Sequence, residues 1–178
     1  MMRKKKILWG ILLLTISLSL TACGQSKFSF YIMGQNVIPD NIVEQLQKNM
    51  PQTIDSIPVE VDVTPMFNQE KLIVEIAAGG HSILILPYKE FELFAEQGGL
   101  VPLDSLFDKE KYKDGIITYK DPNSKDQAEQ THLLGVPMNS TAWFKNSGYT
   151  SEKMYAFIPG NTPNVEQSKQ ILQQIMKN

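Results

Sequence analysis

The chain has 178 residues, 42% of them hydrophobic and 20% charged, with 17 Lys+Arg against 19 Asp+Glu and one cysteine. That length supports one core of ordinary size rather than several independent domains. The absence of a basic stripe argues against nucleic acid as a partner, because phosphate contacts need clustered Lys and Arg. A lone cysteine excludes an internal disulfide.

At the start, Arg3-Lys4-Lys5-Lys6 precedes a weakly polar to apolar run from Ile7 to Leu20, the layout of a signal peptide. The run falls short of the roughly 20 residues a helix needs to cross ~30 Å of hydrocarbon. Leu20-Thr21-Ala22-Cys23-Gly24 resembles the lipobox of bacterial lipoproteins. The resemblance implies cleavage before Cys23, diacylglycerol on its thiol, and export to the outer face of the cell membrane. Residues 1–22 are then a signal peptide and residues 23–178 a single domain. Removing the leader takes away four basic residues and no acidic one, leaving 13 Lys+Arg against 19 Asp+Glu and a formal net charge of −6. Such a surface fits anionic lipid poorly, so membrane lipid is expected to be held through acylated Cys23.

Along the rest of the chain, Lys27 to Met33 alternates around Phe28, Phe30 and Ile32 and predicts a first strand, broken at Gly34-Gln35-Asn36. Ile42, Val43, Leu46 and Met50 recur at helical spacing after Pro39-Asp40, and Pro51 ends that helix. Val59, Val61 and Val63 alternate with Glu60 and Asp62 in a second strand. Leu72, Ile73, Ile76 and Ala77 form an amphipathic helix with Asn68 as N-cap and Gly79 behind it. Ile83-Leu84-Ile85-Leu86 is a continuous apolar run, the pattern of a parallel strand covered on both faces. Phe91, Leu93, Phe94 and Ala95 predict a third helix that stops at Gly98-Gly99.

The stretch 108–131 is mostly charged and polar and reads as a surface excursion, with its sharpest turn at Asp121-Pro122-Asn123-Ser124. Leu133 to Pro137 and Thr141 to Phe144 read as two short strands joined at Met138-Asn139-Ser140, and Tyr155 to Pro159 as another. A C-terminal helix from Asn164 carries Val165, Ile171, Leu172, Ile175 and Met176 near one face. The fold class expected from this alternation is α/β, an open, mostly parallel sheet with helices on both faces. Ligands of such sheets sit outside the carboxyl ends of the strands. Those ends are expected at Gly34 to Asn36, at Gly79 to Ser82 with Pro87-Tyr88, and at Met138 to Trp143.

The order of these pieces resembles the extracellular solute-binding proteins of ABC importers, especially the carbohydrate-binding group. Leu72 to Leu86 is similar to that family's helix, glycine and buried-strand segment. Phe94-Ala95-Glu96-Gln97-Gly98-Gly99-Leu100-Val101-Pro102-Leu103-Asp104 is similar to its next helix and turn, and Leu134 to Thr141 to its strand leading into the cleft. Members usually run to several hundred residues in two lobes. Phe157-Ile158-Pro159 with Asn164-Val165-Glu166 resembles the family's late return to the first lobe, which implies that the second lobe is missing and that Asn146 to Lys153 rejoins the first. Where the family commonly has Pro-Asp after the glycine equivalent to Gly80, this chain has His81-Ser82.

The resemblance implies weak recognition of a small solute, such as a sugar, for an importer's permease. The alternatives are an interaction or regulatory module serving a membrane sensor protein, or a degenerate remnant. Ligand-binding candidates are Gln35, Asn36, His81, Tyr88, Asn139, Ser140 and Trp143, with Tyr88, Trp143 and Phe144 as aromatic surfaces for stacking or for packing. No cofactor is expected. His81 and His132 lack neighbours at metal-ligand spacing, and Gly79-Gly80 and Gly98-Gly99 lack the longer pattern of phosphate loops. Ser82, Ser140 and Ser147 lack the turn of a hydrolase nucleophile, so nothing points to an enzyme.

Overall fold

The computed structural model describes residues 27–51, 53–54, 56–120 and 128–177. The expected leader of residues 1–22, Cys23 and the turn expected at 121–124 lie outside the described residues. Strand β1 (Phe28–Met33) leads to helix α1 (Asp40–Lys48), a short β2 (Thr53–Ile54) and β3 (Ile57–Thr64). Helix α2 (Gln69–Ala78), β4 (Ile83–Pro87) and α3 (Tyr88–Glu96) follow. The second half holds β5 (Ile116–Lys120), β6 (Glu129–Leu133), β7 (Val136–Pro137), α4 (Ala142–Ser147), β8 (Met154–Phe157) and α5 (Val165–Lys177).

Six strands form one sheet in the order β2-β3-β1-β4-β8-β7. Its centre is parallel: β1 pairs with β3 from Phe28↔Val59 to Met33↔Thr64, and with β4 at Phe30↔Ile83 to Ile32↔Ile85. Strand β8 runs antiparallel to both β4 and β7. All six residues of β1 and all five of β4 are buried, as expected of parallel strands with helices on both faces. The period-two alternation of β1 divides its side chains between two cores. Phe28, Phe30 and Ile32 join Leu46, Trp143, Phe144, Ile171 and Leu172 on the face covered by α1, α4 and α5. Tyr31 and Met33 join Leu72, Phe91 and Ala95 on the face covered by α2 and α3. At about 1.5–3 kcal/mol per fully buried large apolar side chain, these two layers are the main source of stability.

Local chemistry sets the helix ends. The Asn68 side chain accepts from Lys71 N at 2.8 Å and Gly79 takes a left-handed φ of 63°, closing α2 at both ends. Asn164 Oδ1 accepts from Gln167 N at 3.1 Å at the start of α5.

Three segments differ from the sequence reading: Leu133 to Pro137, read as one strand, is divided between the end of β6 in the two-stranded sheet and β7 in the six-stranded one. Within 108–131, β5 and β6 form an antiparallel hairpin, Ile116↔Leu133 to Lys120↔Glu129, with Ile117 and Tyr119 buried against α3. The segment Thr141 to Phe144 is no strand but the start of α4, because Thr141 caps it by accepting from Phe144 N and Gly148 ends it at φ 74°. Among the described residues no helix is long and apolar enough to cross a membrane.

Candidate functional site

The strand order fixes where a ligand can sit. From β1 the chain crosses to β3 on one side, and from β4 it continues to the other side of the sheet. The loops leaving β1 and β4 therefore diverge and open a crevice between the carboxyl ends of those two strands. A cleft of about 430 Å³ occupies that place, lined by Gln35 from the β1 loop, Pro87, Tyr88, Lys89 and Glu90 at the start of α3, and Glu152 and Lys153 before β8.

Glu152 ties the cleft together. One of its carboxylate oxygens accepts from Gln35 N at 2.9 Å and from the Tyr149 hydroxyl at 2.6 Å. The Tyr88 ring meets Tyr155 edge-on at 5.1 Å, and its hydroxyl donates to Glu92 at 2.9 Å. Burial pushes the Glu90 carboxyl above its ordinary range, with the charge of Glu152 adding to the effect. Its Oε2 is buried with no hydrogen-bond partner among the described residues. An aromatic face, the Glu152 carboxylate and the Gln35 amide side chain thus border one crevice, a combination suited to a polar solute with a flat apolar face.

The seven residues singled out in the sequence do not converge. Gln35 and Tyr88 line the cleft, and Asn36 is exposed on the same loop as Gln35. Ser140 is exposed on the turn after β7. Asn139 is committed to the backbone: its Nδ2 donates to Glu152 O at 2.7 Å and its Oδ1 accepts from Met154 N at 2.8 Å, stitching β7 to the entry of β8. Trp143 is 7% exposed, donates from Nε1 to Leu46 O at 2.8 Å and packs edge-on against Phe30, so it is a core residue and not a stacking platform. Gly79 to Ser82 lies at the amino end of β4, not at a carboxyl end, which places His81 on the opposite edge of the sheet from the cleft.

There His81 forms a polar pin. Its Nε2 bonds the Glu75 carboxylate at 3.0 Å and its Nδ1 bonds the Ser29 hydroxyl at 2.8 Å, while the ring lies against Tyr31 at 4.8 Å. Ser, His and Glu in a row call a hydrolase relay to mind. However, Ser29 is 7% exposed within β1, and its hydroxyl also lies 3.4 Å from Asp62; the chain of bonds ties α2 to the sheet. His132 similarly pairs with Asp104 at 3.1 Å. Among the described residues no three His, Cys, Asp or Glu side chains are grouped to hold a metal ion.

The amino edge has a cavity of its own, about 470 Å³, walled by Ile76, Ala77, Phe94, Leu100 and Phe157 and by the glycines 98, 99 and 160. Its walls are largely apolar and its polar groups mainly backbone, so it offers little to orient a polar ligand. The residues that sequence reasoning missed at the cleft are Lys89, Glu90, Glu152 and Lys153. Glu152 and Lys153 fall in the segment read only as a connection, and Glu90 sits in the first turn of a helix whose start was placed too late.

The buried phenols around the cleft give a pH expectation. Burial, with the charge of Asp114 adding to it, pushes Tyr155 up to about 12, and burial with the bond to Glu152 raises Tyr149 as well. The unfolded chain loses these protons near pH 10 while the fold keeps them, so stability is full below pH 10 and falls as pH rises toward 12. Denaturant melts between pH 8 and 11.5 should show this decline, and Tyr155→Phe should flatten it; an equally steep decline in the variant would remove Tyr155 from the cause.

No family model matches the chain, and no curated protein matches it. Among solved structures the chain is similar to an extracellular solute-binding protein family 1 from Alicyclobacillus acidocaldarius subsp. acidocaldarius DSM 446, at 19% identity and a TM-score of 0.44. That match covers 62% of this chain and 27% of the other, so it takes in about a quarter of that protein's length.

Proposed function

We propose that the chain is an exported, lipid-anchored lobe of solute-binding type, cut before Cys23, that holds a small polar solute such as a sugar weakly in the crevice between Gln35 and Tyr88. The observation that carries this reading is the coincidence of the topological switch point, between the carboxyl ends of β1 and β4, with a cleft bordered by Tyr88, Glu90 and Glu152. The Tyr88 ring would cover one sugar face, and the side chains of Gln35, Lys89 and Lys153 would offer polar groups at its rim. Tight sites bury 70–90% of a ligand; a crevice walled on one side does not, so a dissociation constant near ~1 mM, about −4 kcal/mol, is expected. An importer's permease would receive such a solute, or a membrane sensor would read it.

Calorimetry of the domain against oligosaccharides and short peptides tests the reading. Tyr88→Ala should weaken binding by about 2- to 10-fold, the worth of one aromatic contact. Unchanged affinity in that variant, or no heat at tens of millimolar solute, would remove the cleft as a solute site. An interaction module is the second reading, favoured by Val37 and Met66, 67% and 58% exposed in the loops after β1 and β3. For the anchor, labelled fatty acid should enter the parent protein and not Cys23→Ala; equal labelling of the two would sink it.

A further inference from the structure

We infer that the amino edge of the sheet is the membrane-facing surface, resting on lipid, and that the cleft is presented away from the bilayer. This rests on the proposed acylation of Cys23 and goes beyond it by fixing which end of the domain meets the lipid. The described fold begins at Lys27, immediately before Phe28 at the amino end of β1. Four residue steps separate Cys23 from Lys27, a reach of at most about 14 Å for any chain conformation. From Lys27 to Met33, where β1 ends and the cleft-bearing loops begin, the strand rises about 20 Å.

The two lengths exclude one orientation. With the carboxyl edge turned onto the bilayer, Lys27 would stand about 20 Å above the surface, farther than the acylated cysteine can follow. With the amino edge toward the bilayer, the tether closes easily. The turns from Gly79 to Ser82 and from Gly160 to Pro163 lie at that edge: Thr162 Oγ1 donates to His81 O at 3.1 Å and Gly79 packs on Asn161. The largely apolar cavity walled by Ile76, Phe94 and Leu100 opens at the same end, whereas Lys89, Glu90, Glu152 and Lys153 gather at the other. A solute bound between Gln35 and Tyr88 therefore faces outward. Of the two receivers proposed for it, this orientation favours one standing about 20 Å or more above the lipid, such as the ectodomain of a sensor, over the lipid-level mouth of a permease.

Acylation occupies Cys23, so one added cysteine is the only free thiol. Full-length acylated protein carrying Pro163→Cys or Asn36→Cys, both exposed positions, is labelled with a donor dye. It is then reconstituted in phosphatidylcholine vesicles that contain a headgroup-labelled acceptor lipid. The donor at 163 should be quenched at least twofold more than the donor at 36, with Glu60→Cys and Met66→Cys repeating the order on independent sites. Inserting 20 Gly/Ser residues after Gly24 should shrink the difference. Equal or reversed quenching at both pairs of sites, or a difference untouched by the insertion, overturns the inference. Loss of vesicle flotation together with an unmodified Cys23 mass would instead show that the anchor itself is wrong.

Discussion

Trp143→Ala is expected to lower the unfolding free energy by about 3–5 kcal/mol, the usual cost of emptying a buried aromatic site. The ring is the junction of three elements: it meets Phe30 of β1 at 5.3 Å and Phe144 at 5.3 Å, both edge-on, and its Nε1 caps Leu46 O near the end of α1. Truncation leaves that carbonyl without its donor as well as a cavity, and both costs add. Trp143→Phe retains most of the volume and should lose about 1–3 kcal/mol. Because Trp143 is remote from the cleft, neither variant should alter solute affinity once folded. Urea melts of the three proteins test this, and a loss below about 1 kcal/mol for the alanine variant would show that the ring is not structural.

Phe91→Ala should cost a similar 3–5 kcal/mol, with a different second effect. Phe91 is fully buried in α3, stacked on Tyr155 at 5.2 Å and 9°, 5.7 Å from Phe157 and 6.3 Å from Tyr88. It also fills the space that a side chain at Gly135 would need, since a Cβ there would lie 2.6 Å from the ring. Removing the ring frees Tyr88, so solute binding should weaken along with stability, unlike the Trp143 variants. Gly135→Ala approaches the same contact from the other side by overpacking it and should cost about 1–3 kcal/mol. If Phe91→Ala binds as the parent does, the Tyr88 ring is not held by this stack.

The elements that were legible in the sequence are those whose local signals and burial agree. The continuous run Ile83 to Leu86 could only be a strand covered on both faces, and Asn68 with Gly79 marked both ends of α2. Segment 141–144 misled because Ala-Trp-Phe reads as a β-forming run, while the decisive signals, Thr141 before the helix and Gly148 after it, are single residues with six others between them. The hairpin in 108–131 was masked by its charged flanks, although Ile117, Thr118, Tyr119 and Lys120 alternate in and out as a half-buried strand should.

The site was half legible. Gln35 and Tyr88 follow strands recognised as strands, and the loop after a parallel strand is where the cleft must open. His81 was misplaced because helix–glycine–strand order does not say which end of a strand a turn occupies until the direction of β4 is fixed: residues before a strand lie at its amino end. Trp143 and Asn139 look alike in sequence to ligand contacts, since an aromatic ring and an amide serve packing and backbone pairing with the same groups they would offer a sugar. Only their partners in three dimensions, Leu46 O for one and the backbone of Glu152 and Met154 for the other, tell the roles apart.

Both outer strands of the sheet, β2 and β7, are two residues long, and β7 ends in Pro137. On the β7 side such a border gives a visiting chain a row of only two residues on which to lay a further strand. On the other side β2 covers only Ile57 and Pro58 of the eight residues of β3, so Val59 to Thr64 present the longer outer row. A change that lengthened β7, by moving its proline or extending its pairing with β8, would open a second such row and put solubility at risk before it touched the cleft.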